Sequence, residues 1–255
     1  MTTALIGHTG FVGSTLLRQT QFDELYHSAN IREIRGRSFS LVVCAGAPAA
    51  KWLANQEPEK DQANLQTLID PLEEVSADRF VLISTVDVYR MPPAVYEDTL
   101  VDPLILDPYG RHRFYLEEFV RRHFKDSLVV RLPGLFGQGL KKNFIYDLIH
   151  DNRPDLTHRD SVFQFYDMEN LWTDIQRVLE KKLPLINLGT EPVKASDVAR
   201  LCFGVEFKNK TEKPPALYDM RTRFAHLFDL NGDYLYSAEE TFERIRRYAG
   251  TQRKS

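Results

Sequence analysis

Residues 3–13 read Thr-Ala-Leu-Ile-Gly-His-Thr-Gly-Phe-Val-Gly. The apolar run Thr3–Ile6 predicts a buried strand, and a glycine at every third position then predicts a tight turn into a helix over 14–19. Such glycines let the backbone approach a pyrophosphate, while the first turn of a helix presents N–H groups and a positive dipole to that anion. The stretch therefore predicts a dinucleotide site; the alternative is a glycine-rich turn that holds no ligand.

Short apolar runs alternate with helical patterns along the rest of the chain. The predicted strands lie at 23–29, 41–44, 80–85, 128–131 and 185–188, and the predicted helices at 57–75, from Pro108 onward, 143–150, 169–181, 196–201 and 237–248. Strands that alternate with helices predict a parallel sheet with right-handed crossovers. Asp107-Pro108 predicts an N-cap with a first-turn proline, and Ser237 with Glu240 predicts a capping box.

The connection between Asn30 and Leu41 is too short for a crossover helix. It holds only about ten residues, whereas parallel strands need a dozen or more between them. We therefore expect the third strand of the sheet to be short, skewed or missing.

Composition limits the class of protein. The chain has 255 residues, 33 basic and 36 acidic side chains and 43% hydrophobic residues, which predicts one large domain, or one domain with a small second lobe. The near-balanced charge argues against nucleic acid or an acidic membrane as partner. No apolar run approaches the ~18 residues of a membrane span, and no secretory signal is visible. Cys44 and Cys202 are too few for a disulfide scaffold and lack metal-ligand spacing, so we expect a soluble, cytoplasmic protein without a metal site.

The end of the second predicted strand bears on the choice of dinucleotide. A dinucleotide site usually carries an acid about 20 residues after its glycines, bonded to the ribose. Here that region offers Asn30 and Arg32 instead. Asn30 can bond a ribose hydroxyl without repelling a 2′-phosphate, and Arg32, Arg35 or His8 could pair with such a phosphate. This favours NADP over NAD, unless the arginines only form a solvated loop.

Four segments together resemble a known family. They are the glycine turn, residues 84–89 (Ser-Thr-Val-Asp-Val-Tyr), residues 109–113 (Tyr-Gly-Arg-His-Arg) and residues 131–137 (Arg-Leu-Pro-Gly-Leu-Phe-Gly). Their order resembles that of the extended (atypical) short-chain dehydrogenase/reductases, the NAD-dependent epimerase/dehydratase family. The resemblance implies an α/β fold, with a Rossmann-type doubly wound parallel sheet and a small C-terminal α/β substrate lobe. The expected domains are 1–135 for NAD(P) binding and 136–255 for the lobe, parts of which return to the sheet.

The resemblance also implies the residues of the site. The expected cofactor-binding set is Gly7, His8, Gly10, Phe11, Val12, Gly13, Asn30, Arg32, Ala45, Gly46, Ala47 and Pro133.

In the catalytic set, Thr85 would hold the substrate oxygen and Tyr109 would act as general acid/base. Arg113 stands where the family has lysine. At i+4 it can lie beside Tyr109, lower the pKa of the phenol and orient the ribose, but a guanidinium does not release a proton. Asp87 is a candidate proton donor, or only a loop cap.

Two departures from the family pattern narrow the expected activity. Val86 replaces the aspartate that dehydratases of the family tend to have there, and Gly134 replaces an asparagine that often contacts the sugar nucleotide. The resemblance then implies an NAD(P)-dependent oxidoreductase or epimerase acting on a sugar or nucleotide-sugar carbonyl by hydride transfer. The alternative is an NAD(P)-binding sensor or scaffold with attenuated catalysis. A homodimer through the apolar faces of 65–72 or 114–124 fits the family, but packing on the sheet explains these faces equally well. Arg221 and Arg223 are candidates for a substrate-phosphate clamp, although loop arginines usually face solvent.

Overall fold

A computed structural model describes residues 2–90 and 94–252 of the chain. The described residues fall into two compact units. The first comprises residues 2–90, Leu100–Arg131 and Leu171–Ile186, and the second comprises residues 94–99, 132–170 and 187–252. The predicted domain boundary at residue 135 stays a prediction. Within these residues, no helix combines the length and apolar character needed to cross a membrane.

The strands and helices of the described residues have the following bounds. The strands are β1 (Thr3–Ile6), β2 (Glu24–Tyr26), β3 (Ser38–Phe39), β4 (Leu41–Cys44), β5 (Ser76–Ala77), β6 (Phe80–Thr85), β7 (Ser127–Leu132), β8 (Gly134–Phe136), β9 (Val162–Phe163), β10 (Phe165–Asp167), β11 (Leu185–Asn187) and β12 (Val193–Lys194). The helices are α1 (Phe11–Gln19), α2 (Lys51–Gln56), α3 (Pro58–Leu72), α4 (Pro108–His123), α5 (Phe144–His150), α6 (Leu171–Glu180), α7 (Ala195–Phe203) and α8 (Ala238–Gln252).

The main sheet has six strands in the order β2-β1-β4-β6-β7-β11. β1 pairs in parallel with both β2 and β4, and β4 pairs in parallel with β6. This is the α/β sheet with helical crossovers that the alternating pattern predicts. Because the strands are parallel, the segments that follow β1, β4 and β6 all leave from the same edge of the sheet.

The third strand of the predicted order is missing from this sheet. Among the described residues β2 is the edge strand, and the chain returns from it to β4 through a short 3₁₀ helix, Ile31–Ile34. Ile31 and Ile34 are buried in the core. β3 pairs instead with β5, in a separate two-stranded sheet. The expectation drawn from the short connection is confirmed: one 3₁₀ turn fits where a crossover helix does not.

Apolar side chains at helical spacing attach the helices to the sheet. Leu65, Leu68, Ile69 and Leu72 of α3 are buried in the core, as are Leu116, Val120 and Phe124 from α4 and its end. Burial of this kind contributes roughly 1.5–3 kcal/mol for each large side chain. The 3.6-residue period therefore predicts which faces of α3 and α4 are buried.

Of the two helix caps predicted from the sequence, one forms as expected and the other lacks its side-chain hydrogen bond. Ser237 and Glu240 form the predicted capping box, since each side chain accepts a hydrogen bond from the other's backbone N–H. Pro108 is the first residue of α4, but the Asp107 side chain makes no capping hydrogen bond. Asp107 is therefore an N-cap by position only.

The second predicted strand is shorter than expected. The pattern spans 23–29, whereas β2 covers only Glu24–Tyr26. Asn30 ends it: its Oδ1 accepts a hydrogen bond from His27 N–H at 2.8 Å, and its Nδ2 donates to the Leu25 carbonyl at 3.1 Å. An asparagine that bonds nearby backbone closes a turn in place of the sheet ladder.

The second unit contains two small sheets. β8 pairs in parallel with β10, and β9 pairs antiparallel with β12. Buried Gln164 ties this unit together, because its amide donates to the Met220 carbonyl at 2.8 Å and accepts from the Met220 N–H at 2.7 Å. Helices α7 and α8 pack against each other in the same unit.

Candidate active site

Two glycines of the turn after β1 are required by the chain's own packing. Gly7 has φ +83°, and a Cβ there would lie 2.4 Å from the Ala45 carbonyl oxygen. A Cβ on Gly13 would lie 2.1 Å from the Gly7 carbonyl oxygen. Any larger residue at either position would displace backbone, so these glycines allow β1, α1 and the segment after β4 to approach one another closely.

The middle glycine, Gly10, is different. Its φ of −78° suits any residue, and a Cβ there would make only ordinary contact, at 3.4 Å from the Gly7 carbonyl oxygen. Gly10 is exposed and caps α1 without any side chain. The first turn of α1 therefore opens onto a space that a side chain at position 10 would enter. This is the place where a Rossmann turn brings its backbone against a pyrophosphate.

The residues predicted to bind the ribose or its 2′-phosphate differ in the contacts that they already make. Both polar atoms of the Asn30 side chain are already bonded within its turn, and Arg35 pairs with Glu74. Arg32 is exposed. His8 packs edge-on against His27 at 5.1 Å, and burial, followed by the charge of His27, lowers the pKa of His8. A neutral His8 is a poor partner for a phosphate, so Arg32 is the better candidate.

The loop after β4 faces the glycine turn. The Ala45 N–H donates to the Ile6 carbonyl at 2.9 Å, and a Cβ on Gly46 would lie 3.0 Å from the Ile6 side chain. Ala45 and Gly46 therefore lie next to the glycine turn, and the sequence predicted these two residues and the turn to bind the same cofactor. Ala47, the third residue predicted in this loop, packs against the core.

Thr85 ends β6 and organises the turn that follows. Its Oγ1 accepts a hydrogen bond from the Asp87 N–H at 3.2 Å and lies 3.5 Å from Asp87 Oδ2. Asp87 Oδ1 in turn binds the ammonium of Lys51 at 2.6 Å. Lys51 is the first residue of α2, and the motif-based prediction does not include it. Asp87 is thus an ion-pair partner as well as a residue of the turn.

Tyr109 lies in the first turn of α4 and is only 8% exposed. Its N–H donates to Asn55 Oδ1 at 3.0 Å, and the first turn of α4 approaches the turn after β6, residues 86–88, closely. Gly110 makes this approach possible, because a Cβ there would lie 2.0 Å from the Asp87 carbonyl oxygen. Gly110 is a second residue that the motif-based prediction missed.

The charges around Tyr109 oppose one another. Burial raises the pKa of the Tyr109 phenol most, and Asp87 raises it further. The cations of Arg113 and Lys51 and the hydroxyl of Thr85 lower it, but the pKa stays above its usual value. At neutral pH Tyr109 is therefore a phenol that can donate its proton.

Arg113 contacts the ring of Tyr109, and its hydrogen bonds go elsewhere. Its guanidinium carbon lies 4.3 Å from the ring centroid. Nη1 donates to Asp61 Oδ2 at 2.6 Å, and Nη2 donates to Asp61 Oδ1 at 2.9 Å and to the Pro48 carbonyl. Arg113 is 3% exposed, and its buried Nε has no hydrogen-bond partner among the described residues. Asp61, which no motif indicated, fixes this arginine.

His112 shares the same carboxylate. Its Nδ1 lies 2.8 Å from Asp61 Oδ2. Burial opposes ionisation of Asp61, but the hydrogen bonds from Arg113 and His112 outweigh it and hold the pKa of this carboxyl below its usual value. Asp61 is therefore a carboxylate at neutral pH.

The second unit explains one departure from the family pattern. A Cβ on Gly134 would lie 2.7 Å from the Gln164 carbonyl oxygen, so the pairing of β8 with β10 leaves no room for an asparagine. Pro133 precedes Gly134 in this unit, and its predicted cofactor contact stays a prediction.

The candidate phosphate clamp of the second unit is neutralised internally. Arg221 pairs with Asp219 at 2.8 Å and with Asp233 at 3.3 Å, while Arg223 stacks on Tyr96 at 3.7 Å. Two carboxylates on one guanidinium disfavour a further role for Arg221 in binding a substrate phosphate.

Comparisons with known proteins identify the fold. No family model and no curated protein matches the chain. Among solved structures, it is similar to a dTDP-4-dehydrorhamnose reductase from Clostridium acetobutylicum, with 17% identity, 99% of this chain and 100% of that chain covered, and a TM-score of 0.71. The chain has the fold of the extended short-chain dehydrogenase/reductases.

Two further structures are similar over almost their whole length. The UDP-glucose 4-epimerase of Thermotoga maritima, solved with UDP-glucose, is 15% identical over 100% of this chain and 99% of that chain, with a TM-score of 0.71. The dTDP-4-dehydrorhamnose reductase of Bacillus anthracis, solved with NADP, is 17% identical over 97% and 98%, with a TM-score of 0.74. At these identities the likeness establishes the fold, and the activity has to be argued from the site.

Proposed function

We propose that this protein is an NAD(P)-dependent oxidoreductase or epimerase that acts on a sugar or nucleotide-sugar carbonyl. The observation that carries the proposal is the buried phenol of Tyr109 in the first turn of α4, which packs against the turn after β6, next to Thr85 at the end of that strand. The open first turn of α1 at Gly10 supports it from the same unit. The similar structures are reductases and epimerases of sugar nucleotides, crystallised with NADP or NAD in some cases.

The residues present fit a dinucleotide. Gly7 and Gly13 shape the turn, and Gly10 leaves the N-terminus of α1 clear for a pyrophosphate. Asn30 closes β2 where NAD sites usually present a carboxylate, and Arg32 is exposed nearby in sequence. We therefore extend the proposal to NADP in preference to NAD. When bound, the dinucleotide supplies or accepts the hydride.

The two hydroxyls act on the substrate oxygen. In reduction Tyr109 donates its proton to the carbonyl oxygen, and Thr85 holds that oxygen by a hydrogen bond; in oxidation Tyr109 accepts the proton back. Arg113 lies over the ring and favours the tyrosinate, which forms transiently, without itself releasing a proton. Proton transfer of this kind contributes typically 10²–10⁴-fold to the rate.

Dinucleotide binding is tested first. NADPH and NADH are titrated against the wild type and Gly10→Ala, with fluorescence as the signal. Since a Cβ at position 10 meets no backbone of the protein closer than 3.4 Å, we expect an unchanged melting temperature and at least tenfold weaker binding, about 1.4 kcal/mol. Gly250→Ala is the matched control, because its Cβ would meet nothing within 4 Å. If Gly10→Ala binds like the wild type, the glycine turn is structural.

Turnover is tested on a panel of UDP- and dTDP-sugars with the preferred dinucleotide. Tyr109→Phe should lower kcat by roughly 10²–10⁴-fold and leave dinucleotide binding unchanged, because only the transferred proton is lost. Undiminished turnover in Tyr109→Phe contradicts the proposed mechanism. Tight NADPH binding without turnover of any sugar nucleotide would favour a dinucleotide-binding sensor or scaffold instead.

A further inference from the structure

Two imidazoles lie together at the carboxyl ends of β1 and β2. The two strands are parallel, with Ile6 opposite Tyr26, so the segments that follow them leave the sheet side by side. His8 follows β1 within the glycine turn, and His27 follows β2 directly. The ring centroids lie 5.1 Å apart, with the edge of one ring against the face of the other. The pairing of the strands therefore brings together two side chains that can each carry a proton.

His27 occupies the position that distinguishes the two dinucleotides. It stands 20 residues after Gly7 and immediately beyond β2, where NAD sites usually present a carboxylate to the ribose. Asn30 lies three residues further on, and its side chain is used to close the turn. A carboxylate at the strand end would repel a 2′-phosphate, whereas an imidazole does not. The end of β2 is therefore compatible with the phosphorylated ribose of NADP.

Backbone hydrogen bonds fix the form of the His27 ring. The Ala29 N–H donates to His27 Nδ1 at 3.2 Å, and the His27 N–H donates to Asn30 Oδ1 at 2.8 Å. Because Nδ1 is an acceptor, the neutral ring carries its hydrogen on Nε2. Protonation of Nδ1 would break the bond from Ala29. His27 is therefore a neutral hydrogen-bond donor, and a further proton is directed to the other ring.

That other ring, His8, is half-buried in the glycine turn. Burial, followed by the charge of His27, lowers the pKa of His8, so that it is neutral at neutral pH. A phosphate dianion beside this ring would favour the imidazolium, as an opposite charge within about 4–6 Å does. Phosphate and proton therefore strengthen each other's binding at His8.

The segments around the two rings carry few charges. The first turn of α1 has no acidic residue, and residues 45–50 after β4 are uncharged. On β2, Glu24 is paired with Arg37. The 3₁₀ helix that follows β2 adds Arg32 and Glu33, both of them exposed. Arg32 thus contributes a permanent positive charge near the end of β2, and a second one requires the protonation of a histidine.

We propose that His8, His27 and Arg32 bind the 2′-phosphate of NADP, and that His8 takes up one proton from solvent when this phosphate binds. The inference rests on the proposed function and specifies which residues select between the two dinucleotides. His27 Nε2 donates to a phosphate oxygen, Arg32 supplies a permanent charge, and the His8 imidazolium pairs with the dianion. No covalent bond changes, and the proton is released when NADP leaves.

The choice between NADP and NAD then depends on pH. NADPH affinity falls as pH rises, by up to about tenfold per pH unit, which is the slope for one linked proton. NADH has no 2′-phosphate, so its affinity stays constant. The phosphate itself takes a proton only near about pH 6, and this weakens binding as pH falls, which is the opposite sign. Measurements above about pH 6.5 therefore report His8.

The experiment measures NADPH and NADH binding to the full chain between about pH 6.5 and 8.5. Fluorescence titration gives the two affinities, and calorimetry in two buffers of different ionisation enthalpy gives the number of protons taken up. We expect the NADPH/NADH affinity ratio to fall steadily with pH. At about pH 7.5, NADPH should bind with uptake of close to one proton and NADH with none.

Two substitutions test the two rings separately. His8→Gln keeps a hydrogen-bond donor that cannot titrate, so the affinity ratio should become independent of pH and proton uptake should disappear. Its NADPH affinity should be on the order of tenfold lower at the acid end of the range, while an unchanged NADH affinity shows that the variant is folded. His27→Asp places a carboxylate at the end of β2, and NADPH affinity should fall at least about 100-fold while NADH still binds.

His123→Gln is the matched control. It removes an imidazole from the last residue of α4, where His123 is exposed and stacks on Phe119 at 5.3 Å. Both affinities, their pH dependence and the proton uptake should equal those of the wild type.

The outcomes separate this inference from the proposed function. A wild type that binds neither dinucleotide overturns the proposed function. A wild type that binds NADPH without proton uptake, or with an affinity ratio that is constant over the pH range, overturns the role of His8 alone. Full proton uptake in His8→Gln also overturns that role, because the proton then goes to another group. An unchanged preference for NADPH in His27→Asp overturns the placement of the phosphate at the end of β2.

Discussion

Helix α4 takes part in two buried arginine–carboxylate pairs whose surroundings differ. Arg113 of α4 binds Asp61 of α3 through two nitrogens, and Glu117 of α4 binds Arg131 of β7 at 3.0 and 2.6 Å. In each pair the guanidinium also lies against a tyrosine ring, at 4.3 and 4.7 Å. The local chemistry of the two pairs is nearly the same.

The Glu117 pair is closed on all sides. Ser84 donates to Glu117 Oε1 at 2.5 Å, and Arg131 Nη1 donates to the Tyr89 hydroxyl at 2.5 Å. Glu117 is 0% and Arg131 is 2% exposed. Each nitrogen of Arg131 and each carboxylate oxygen of Glu117 has a hydrogen-bond partner among the described residues, so this buried pair contributes to stability and local geometry.

The Asp61 pair lies beside the candidate reaction centre. It divides one carboxylate between Arg113 and His112, leaves Arg113 Nε without a partner among the described residues, and contacts Tyr109. The same kind of ion pair therefore stabilises the core where its guanidinium lies against Tyr89, and lies beside the candidate site where its guanidinium lies against Tyr109.

The largest expected effect follows from opening the closed pair. Glu117→Ala leaves Arg131 as a buried charge without its carboxylate, which typically costs 3–5 kcal/mol of unfolding free energy. Urea unfolding measures the loss. The neighbour Glu118 is the control: its side chain is 37% exposed and pairs with Arg121 and Arg122 at 4.0 and 3.8 Å, so Glu118→Ala should cost only about 0–1 kcal/mol. Equal losses in both variants would contradict the closed network.

A smaller effect on stability is expected at the other pair. Asp61→Asn removes the charge but keeps one amide oxygen for Arg113, so we expect a loss of about 2 kcal/mol in unfolding free energy. Turnover should fall on the order of tenfold, because Arg113 is no longer held over the Tyr109 ring. Asp70→Asn, on the exposed face of α3 where Asp70 bonds Gln66, serves as the control for both measurements. Loss of stability with unchanged turnover would separate the Asp61 pair from the site.

The smallest expected effect is a pH dependence. The pKa of Asp61 is lower in the folded chain than its ordinary value of 3.8. Such a carboxylate contributes stability that is fully present above the unfolded pKa and is lost as pH falls through the folded one. The stability difference between wild type and Asp61→Asn should therefore shrink as pH falls below about 4. Urea unfolding at a series of pH values checks this, and a difference that grows in acid would reverse the assigned shift.

Local patterns predicted the frame of the molecule. The glycine turn, the apolar faces of α3 and α4 and the short β2–β4 connection all follow from steric and periodic constraints between residues near in sequence. Thr85 and Tyr109 were predicted as site residues because they belong to short motifs in a familiar order. The close approach of α4 to the turn after β6 depends on Gly110, where a Cβ would lie 2.0 Å from the Asp87 carbonyl oxygen, and that requirement appears only once the two segments pack.

The partners of the site were not predictable in the same way. Lys51 stands seven residues after β4, within the segment that leaves the carboxyl edge of the parallel sheet, and that position is the signal that could have placed it near the turn after β6. Asp61 looks like any acidic residue in the first turn of a helix. Its contact with Arg113 joins residues 52 positions apart, and no periodicity or spacing marks such a pair.

The sequence by itself therefore determined the parallel sheet, the helix faces and the glycine turn, because local sterics and the burial of apolar side chains decide them. The tertiary structure alone decided that Arg113 is held at the ring of Tyr109 by Asp61, and that Lys51 pairs with Asp87 in the turn after β6. The physical reason is that a buried charge takes whichever opposite charge the packed chain brings within hydrogen-bonding distance. That choice is made by the fold as a whole.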